Sequence, residues 1–94
     1  MENKVELVFE KTLTNLAGYN YGLDTFEQQV KGKINIREKF EIVFPSQIRG
    51  VASSFVQGFF EKIIEEIGLL KTVENAVIVS EKAELSKMIM SKLV

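Results

Sequence analysis

Apolar and polar residues alternate near the start of the chain, where Val5, Leu7 and Phe9 are separated by Glu6 and Val8 and followed by Glu10. A period of two is that of a strand with one buried face, and it predicts a strand over 4–9. Residues 11–22 keep no period and hold Asn15, Gly18, Asn20 and Gly22. This stretch therefore reads as a loop, with 18–22 as a turn that packs Tyr19 and Tyr21. Asp24 and Glu27 have the spacing of a capping box, so a helix is expected to start at Asp24. It would carry Leu23, Phe26 and Val30 on one face and stop at Gly32. Ile34, Ile36, Phe40, Ile42 and Phe44 all fall on even positions, with Glu38 as the exception. One long strand fits, and so does a hairpin turning near 37–39. Residues 41–44 read as a strand covered on both faces, closed by Pro45. Phe55, Val56, Phe59, Phe60, Ile63, Ile64 and Ile67 then recur with helical spacing opposite Gln57, Glu61, Lys62, Glu65 and Glu66, which predicts an amphipathic helix ending at Gly68. Residues 76–80 predict a further central strand, and Leu85, Met88, Ile89 and Leu93 a last amphipathic helix.

The order is strand, helix, strand, helix, strand, helix, with an extra strand conceivable over 33–37. That alternation predicts an α/β domain with a mostly parallel or mixed sheet of about four strands and helices packed on it, joined by right-handed crossovers. The 94 residues show no repeat or linker and suffice for one core over 1–94. The chain has no Cys and no His, which excludes disulfides, thiolate metal sites, thiol nucleophiles and histidine-based catalysis. Its net charge of −1 weighs against nucleic acid as a partner, since many phosphates would have to be neutralised. The longest apolar run is 76–79, so no bilayer span is expected, and the first eleven residues lack the apolar centre of a signal peptide. A cytoplasmic protein without a cofactor is the expectation.

One segment carries more specific information. A buried strand ending in Phe44-Pro45 is followed by a turn through Gln47, Ile48 and Arg49 to Gly50-Val51, then by Ala52-Ser53-Ser54-Phe55 and the strong helix. This arrangement resembles the STAS-like domains, relatives of the anti-sigma-factor antagonists, in element order over about 20–80 and in motif over 50–63. The resemblance implies a small α/β sandwich that works by binding, typically to an ATPase-fold anti-sigma kinase. In the antagonists the first serine of an Asp-Ser-Ser-Gly stretch at a helix N-terminus is phosphorylated, which releases the partner. Ser53 matches that phosphoacceptor and Ser54 its neighbour. Ala52 stands in place of the Asp and Phe55 in place of the Gly, a departure that bears on phosphorylation more than on binding. A helix N-terminus offers free N–H groups and positive potential to a phosphate or carboxylate, whatever the family. Ser54 and Gln57 also have capping-box spacing, so Ser54 is expected to cap the helix and leave Ser53 free. Ser53, Ser54, Arg49, Gly50 and Gln57 form the candidate partner surface.

Other features have plainer readings. Lys31, Lys33, Arg37 and Lys39 occupy odd positions, and on an extended chain they form a basic stripe opposite Ile34 and Ile36. Such a stripe suits an acidic partner or a nucleic-acid backbone, although a solvated strand face is the commoner explanation. Residues 18–22 lack the Lys and Ser/Thr of a phosphate-binding loop. Glu61, Glu65 and Glu66 fit the solvated face of the amphipathic helix. Met88 and Met90 fit core packing, with Met90 off the main stripe. The expectation is a non-enzymatic interaction module in a bacterial or phage pathway that binds an ATPase-fold regulatory kinase around 47–55. The alternative is a phage or mobile-element inhibitor that blocks a host defence enzyme. Homo-oligomerisation through an exposed strand or the last helix is a further possibility.

Overall fold

The structure, a computed structural model, describes residues 2–93. Along the chain come β1 (Lys4–Glu6), β2 (Asn15–Leu16), α1 (Tyr19–Thr25) running into a π-helical turn (Phe26–Val30), and β3 (Phe40–Val43). Then follow β4 (Gly50–Val51), α2 (Ser53–Ile67), α3 (Leu69–Asn75), β5 (Ala76–Val79) and α4 (Ala83–Leu93). The strands form two parallel sheets, one of three strands in the order β1-β3-β5 and one of two, β2-β4. The α/β class and the parallel pairing agree with the sequence reading. The single sheet of about four strands does not, because β2 and β4 pair with each other two residues at a time and join neither edge of the larger sheet.

Register fixes which side chains share a face. Val5, Ile42 and Ile78 align across the sheet and point inward with Leu7, Phe40 and Phe44, while Lys4, Glu41 and Val77 align on the other face. The inner face meets α2, whose period of 3.6 puts Phe55, Val56, Phe59, Phe60 and Ile63 into the core. Phe59 is fully buried and touches four aromatic rings, those of Phe26, Phe44, Phe55 and Phe60. Leu85, Ile89 and Leu93 of α4 close the same core, and Met88 and Met90 both pack against it half-buried.

α1 lies directly on α2 through two glycines. A Cβ at Gly22 would stand 2.2 Å from the Phe55 carbonyl oxygen, and one at Gly58 would stand 2.0 Å from that of Tyr19. The helix therefore begins at Tyr19 and not at Asp24. Residues 19–22 are its first turn, and Asp24 and Glu27 lie inside the helical run without the reciprocal bonds of a capping box. Tyr21 still packs, edge-on against Phe9 and Phe55.

The segment 31–39 is neither a long strand nor a hairpin; only 40–43 is a strand. Asparagines shape it. Asn3 Nδ2 donates to the carbonyls of Asn35 (2.7 Å) and Lys39 (2.9 Å), and Asn3 Oδ1 accepts the Asn35 N–H (2.8 Å). The buried Asn75 amide donates to the Ile36 carbonyl at 3.0 Å. These bonds satisfy backbone groups that a strand would otherwise pair, which is why Ile34 and Ile36 can pack inward from a loop. Strand β1 is shorter than expected, although the Leu7 N–H still bonds the Val43 carbonyl. Beyond it, Gln29 grips both polar backbone groups of Val8, accepting its N–H at 2.7 Å and donating to its carbonyl at 2.9 Å.

Two elements had no counterpart in the sequence reading, the β2-β4 pair and the short helix α3. Gly68, at φ +85°, ends α2 and starts α3, so the chain bends there where a simple stop was expected.

Candidate functional site

The segments leaving the carboxyl ends of β1, β3 and β5 are tied together. The Gln47 amide donates to the Glu10 carbonyl at 2.9 Å, joining the segment after β3 to that after β1. The Lys82 ammonium, after β5, donates to the Ser46 carbonyl. Arg49 N–H bonds the Thr14 carbonyl at 2.7 Å, which starts the β2-β4 pair, and the Ala52 N–H bonds the Leu16 carbonyl at 2.8 Å. These bonds set the entry of α2. In open parallel sheets the carboxyl end is where ligands and partners usually bind. The strand order runs β1-β3-β5 without reversal, so no crevice opens between diverging crossovers. What results is a surface with a shallow open groove of about 410 Å³ lined by Arg49, Lys82, Glu84, Leu85 and Met88.

The two serines have different roles. α2 starts at Ser53, with Ala52 in extended conformation (φ −72°, ψ 153°) at the N-cap and no side chain capping the first turn. The Ser54 hydroxyl accepts the Gly18 N–H at 3.0 Å, so it steadies the start of α1 and does not cap its own helix. The expected Ser54–Gln57 capping box is thus absent. The chain turns helical one residue earlier than the box requires. The Ser53 hydroxyl and the Gln57 amide have no hydrogen-bond partner among the described residues, and both side chains are exposed. Gly50 sits in β4 with Asn15 opposite, where a Cβ would lie 2.5 Å from the Asn15 Oδ1. Arg49 presents an exposed guanidinium beside the groove. The structure therefore brings Arg49, Gly50, Ser53, Ser54 and Gln57 into one region at the head of α2. The Lys92 ammonium approaches it from α4, bonding the Val51 carbonyl at 2.6 Å. Lys82 and Lys92 are the residues the sequence reading missed, and nothing in the local pattern of α4 or the loop before it marks them.

The basic stripe does not exist as expected, because Lys31, Lys33 and Arg37 lie in turns, Lys39 lies in irregular backbone before β3, and the four share no strand face. Lys31 pairs with Glu27 at 3.4 Å, Arg37 approaches Glu66 at 3.9 Å, and Lys39 donates to the Glu74 carbonyl at 3.1 Å. Lys31 also borders a second groove, about 650 Å³ with Phe26, Val30, Ile34 and Ile36 at its floor and Lys62 and Glu65 on its rim. That groove lies along the π-helical turn, away from Ser53.

Of the α2 carboxylates, Glu61 takes a close hydrogen bond from the Tyr19 hydroxyl. This bond, together with partial desolvation and the negative charges of Glu61 and Glu65, holds the Tyr19 hydroxyl above the ordinary tyrosine range. No group of three or more candidate metal ligands occurs among the described residues, and no described helix is long and apolar enough to cross a membrane. No family of known proteins, curated protein or solved structure matches the chain.

Proposed function

We propose that the chain is a STAS-like interaction module that docks a regulatory protein, an ATPase-fold kinase, around the turn at 47–55 and the start of α2. Ser53 is the position at which phosphorylation would govern the contact. The observation that carries this reading is the division of labour between the serines. Ser54 is committed to the Gly18 N–H, whereas Ser53 is exposed at a helix start that no side chain caps. Free N–H groups there suit a partner carboxylate, and the helix dipole contributes about 0.3–1 kcal/mol to an anion at such a position. A phosphate on Ser53 would add about −1.5 to −2 charges at the same donors and compete for them. The parallel strand-helix order supports the sandwich architecture, and the Gly50-Val51-Ala52-Ser53-Ser54-Phe55 segment supports the choice of partner class.

The test is binding to an ATPase-fold kinase from the native host, with Ser53→Ala and Ser53→Asp as variants. Ser53→Ala should bind as the wild type does. Ser53→Asp should bind at least about tenfold more weakly, a difference of ~1.4 kcal/mol, with an unchanged melting curve. Incubation with kinase and ATP should add one phosphate, localised to Ser53 by mass spectrometry. Equal affinity of the Asp variant and the wild type would refute the docking surface.

A further inference from the structure

All-parallel sheets are almost always covered on both faces, because crossover connections lay helices against each side. The three-stranded sheet here is covered on one. The buried side chains of α2 and α4 belong to the same core as Ile42, Phe44 and Ile78 on the inner face. On the outer face Val77 remains 37% exposed, and Val43 and Val79 are half-buried without packing against that core. Register lays this face out as two rows across the strands, Lys4-Glu41-Val77 and Glu6-Val43-Val79.

We infer that this face is an interface between two copies of the chain, related by a two-fold axis that runs parallel to the plane of the sheet, midway between the two faces, and perpendicular to the strands. Under that axis the outer two columns are self-complementary and the central one is not. Rotation about it sets the first row of one copy over the second row of the other. Lys4 then faces Glu6 and Glu6 faces Lys4, giving two reciprocal ion pairs, while Val77 and Val79 face each other in the same reciprocal way. Each of these contacts occurs twice, as an isologous arrangement demands. Glu41 lies over Val43 and keeps Lys4, its in-register neighbour, beside it on its own face. A two-fold along the strands would instead oppose Glu41 to Glu41 and Lys4 to Val77. Lys4 is free to exchange partners, since its contact with Glu2, at 3.7 Å, is an exposed ion pair of little strength.

The face is small. Two strand spacings and four residues give roughly 10 Å by 13 Å, well below the area of a permanent dimer, so association should be weak and reversible. Its ion pairs should make it sensitive to salt.

Sedimentation of the full chain in low salt, from about 10 µM to about 1 mM, covers the range in which so small an interface dissociates. The mass should rise from 10.7 kDa toward twice that value. Lys4→Glu and Glu6→Lys each set like charges against one another and should weaken association about tenfold or more, the scale of a lost and reversed ion pair. The two together restore opposite charges across the contact and keep the net charge at −1, and should recover association above either single swap, though short of the wild type because the carboxylate at position 4 then stands beside Glu41. All three variants lie on exposed side chains and should melt like the wild type. Val77→Asp, which inserts a carboxylate into the apolar half of the face, should abolish the dimer without charge compensation being involved. A wild-type chain that stays monomeric at the highest concentration overturns the inference. A dimer indifferent to the single swaps and to Val77→Asp overturns it equally, as does a well-folded double swap that fails to recover.

Discussion

Replacing Gly58 by Ala puts the helix pairing to a test in which two principles predict opposite signs. By intrinsic propensity alone, alanine in the middle of a helix is better than glycine by about 1 kcal/mol. The structure predicts a loss. The added Cβ would lie 2.0 Å from the Tyr19 carbonyl oxygen, 2.9 Å from its carbonyl carbon and 3.0 Å from the Leu23 nitrogen, all backbone atoms that no rotamer change can move aside. Ordinary contact begins near 3.4 Å, so α1 and α2 must separate by about 1.4 Å. A gap of 0.5–1 Å already forfeits a quarter to a half of each dispersion contact, and the helices share the Tyr21–Phe55 and Phe26–Phe59 ring contacts. Overpacking of this kind costs about 3 kcal/mol at its upper range, which after the propensity gain leaves a net loss of about 2 kcal/mol. For a domain of this size that is a fall in Tm of roughly 8–16 °C. Urea unfolding followed by far-ultraviolet circular dichroism measures it directly. Gly32→Ala serves as the comparison, because at φ +78° its penalty is conformational, about 1 kcal/mol, and its Cβ would meet no atom within 4 Å. A Gly58→Ala protein as stable as the wild type or more so would refute the close helix crossing.

Ser54→Ala leaves the Gly18 N–H without its acceptor and should lower stability by about 1 kcal/mol, whereas Ser53→Ala should change it little. Equal melting of the two variants would remove the structural distinction between the serines. The Tyr19 hydroxyl should ionise above the ordinary tyrosine range in an ultraviolet titration, and Glu61→Gln should bring it down. Because the folded value is the higher one, the contribution of this bond is complete below the unfolded tyrosine pKa. It is lost as pH rises through the folded value. A Tyr19 hydroxyl that ionises in the ordinary tyrosine range, with no change in the Glu61→Gln protein, would show that the bond does not persist in solution.

Period carried the sequence reading where burial is one-sided and continuous. α2 was legible for that reason, as was the last helix through Leu85, Ile89 and Leu93. The apolar run at 76–80 marked β5 but not its place, since β5 is an edge strand with Val77 exposed on its outer face and not the central strand expected. It misled over 34–44, where Ile34 and Ile36 continue the even-numbered pattern of β3 but reach the core from turns held by Asn3 and Asn75. Side-chain amides from residues distant in sequence supplied those turn bonds, and no local pattern encodes that. Glycine was ambiguous in the same way. Gly22 looks like a turn residue in isolation, yet it lies inside α1 where a missing Cβ admits the backbone of α2, and Gly58 provides the opposing gap. At the candidate site, the sequence placed Ser53 and Ser54 at the head of the helix. It assigned the Ser54 bond to the wrong helix, because the capping-box pattern says nothing of the Gly18 N–H that arrives from α1.

The grip of Gln29 on Val8 bears on how this molecule avoids growing into a fibre. Successive residues of an edge strand turn their polar backbone groups alternately inward and outward, and Leu7 spends its N–H on β3. Val8 therefore offers its pair to any foreign strand, beside a side chain that is 72% exposed and well suited to cross-β stacking. A primary amide has the same donor and acceptor as a peptide group, and Gln29 uses both on Val8. It is in effect a one-residue strand lent by a helix. The template ends there, just beyond the exposed charges of Lys4 and Glu6.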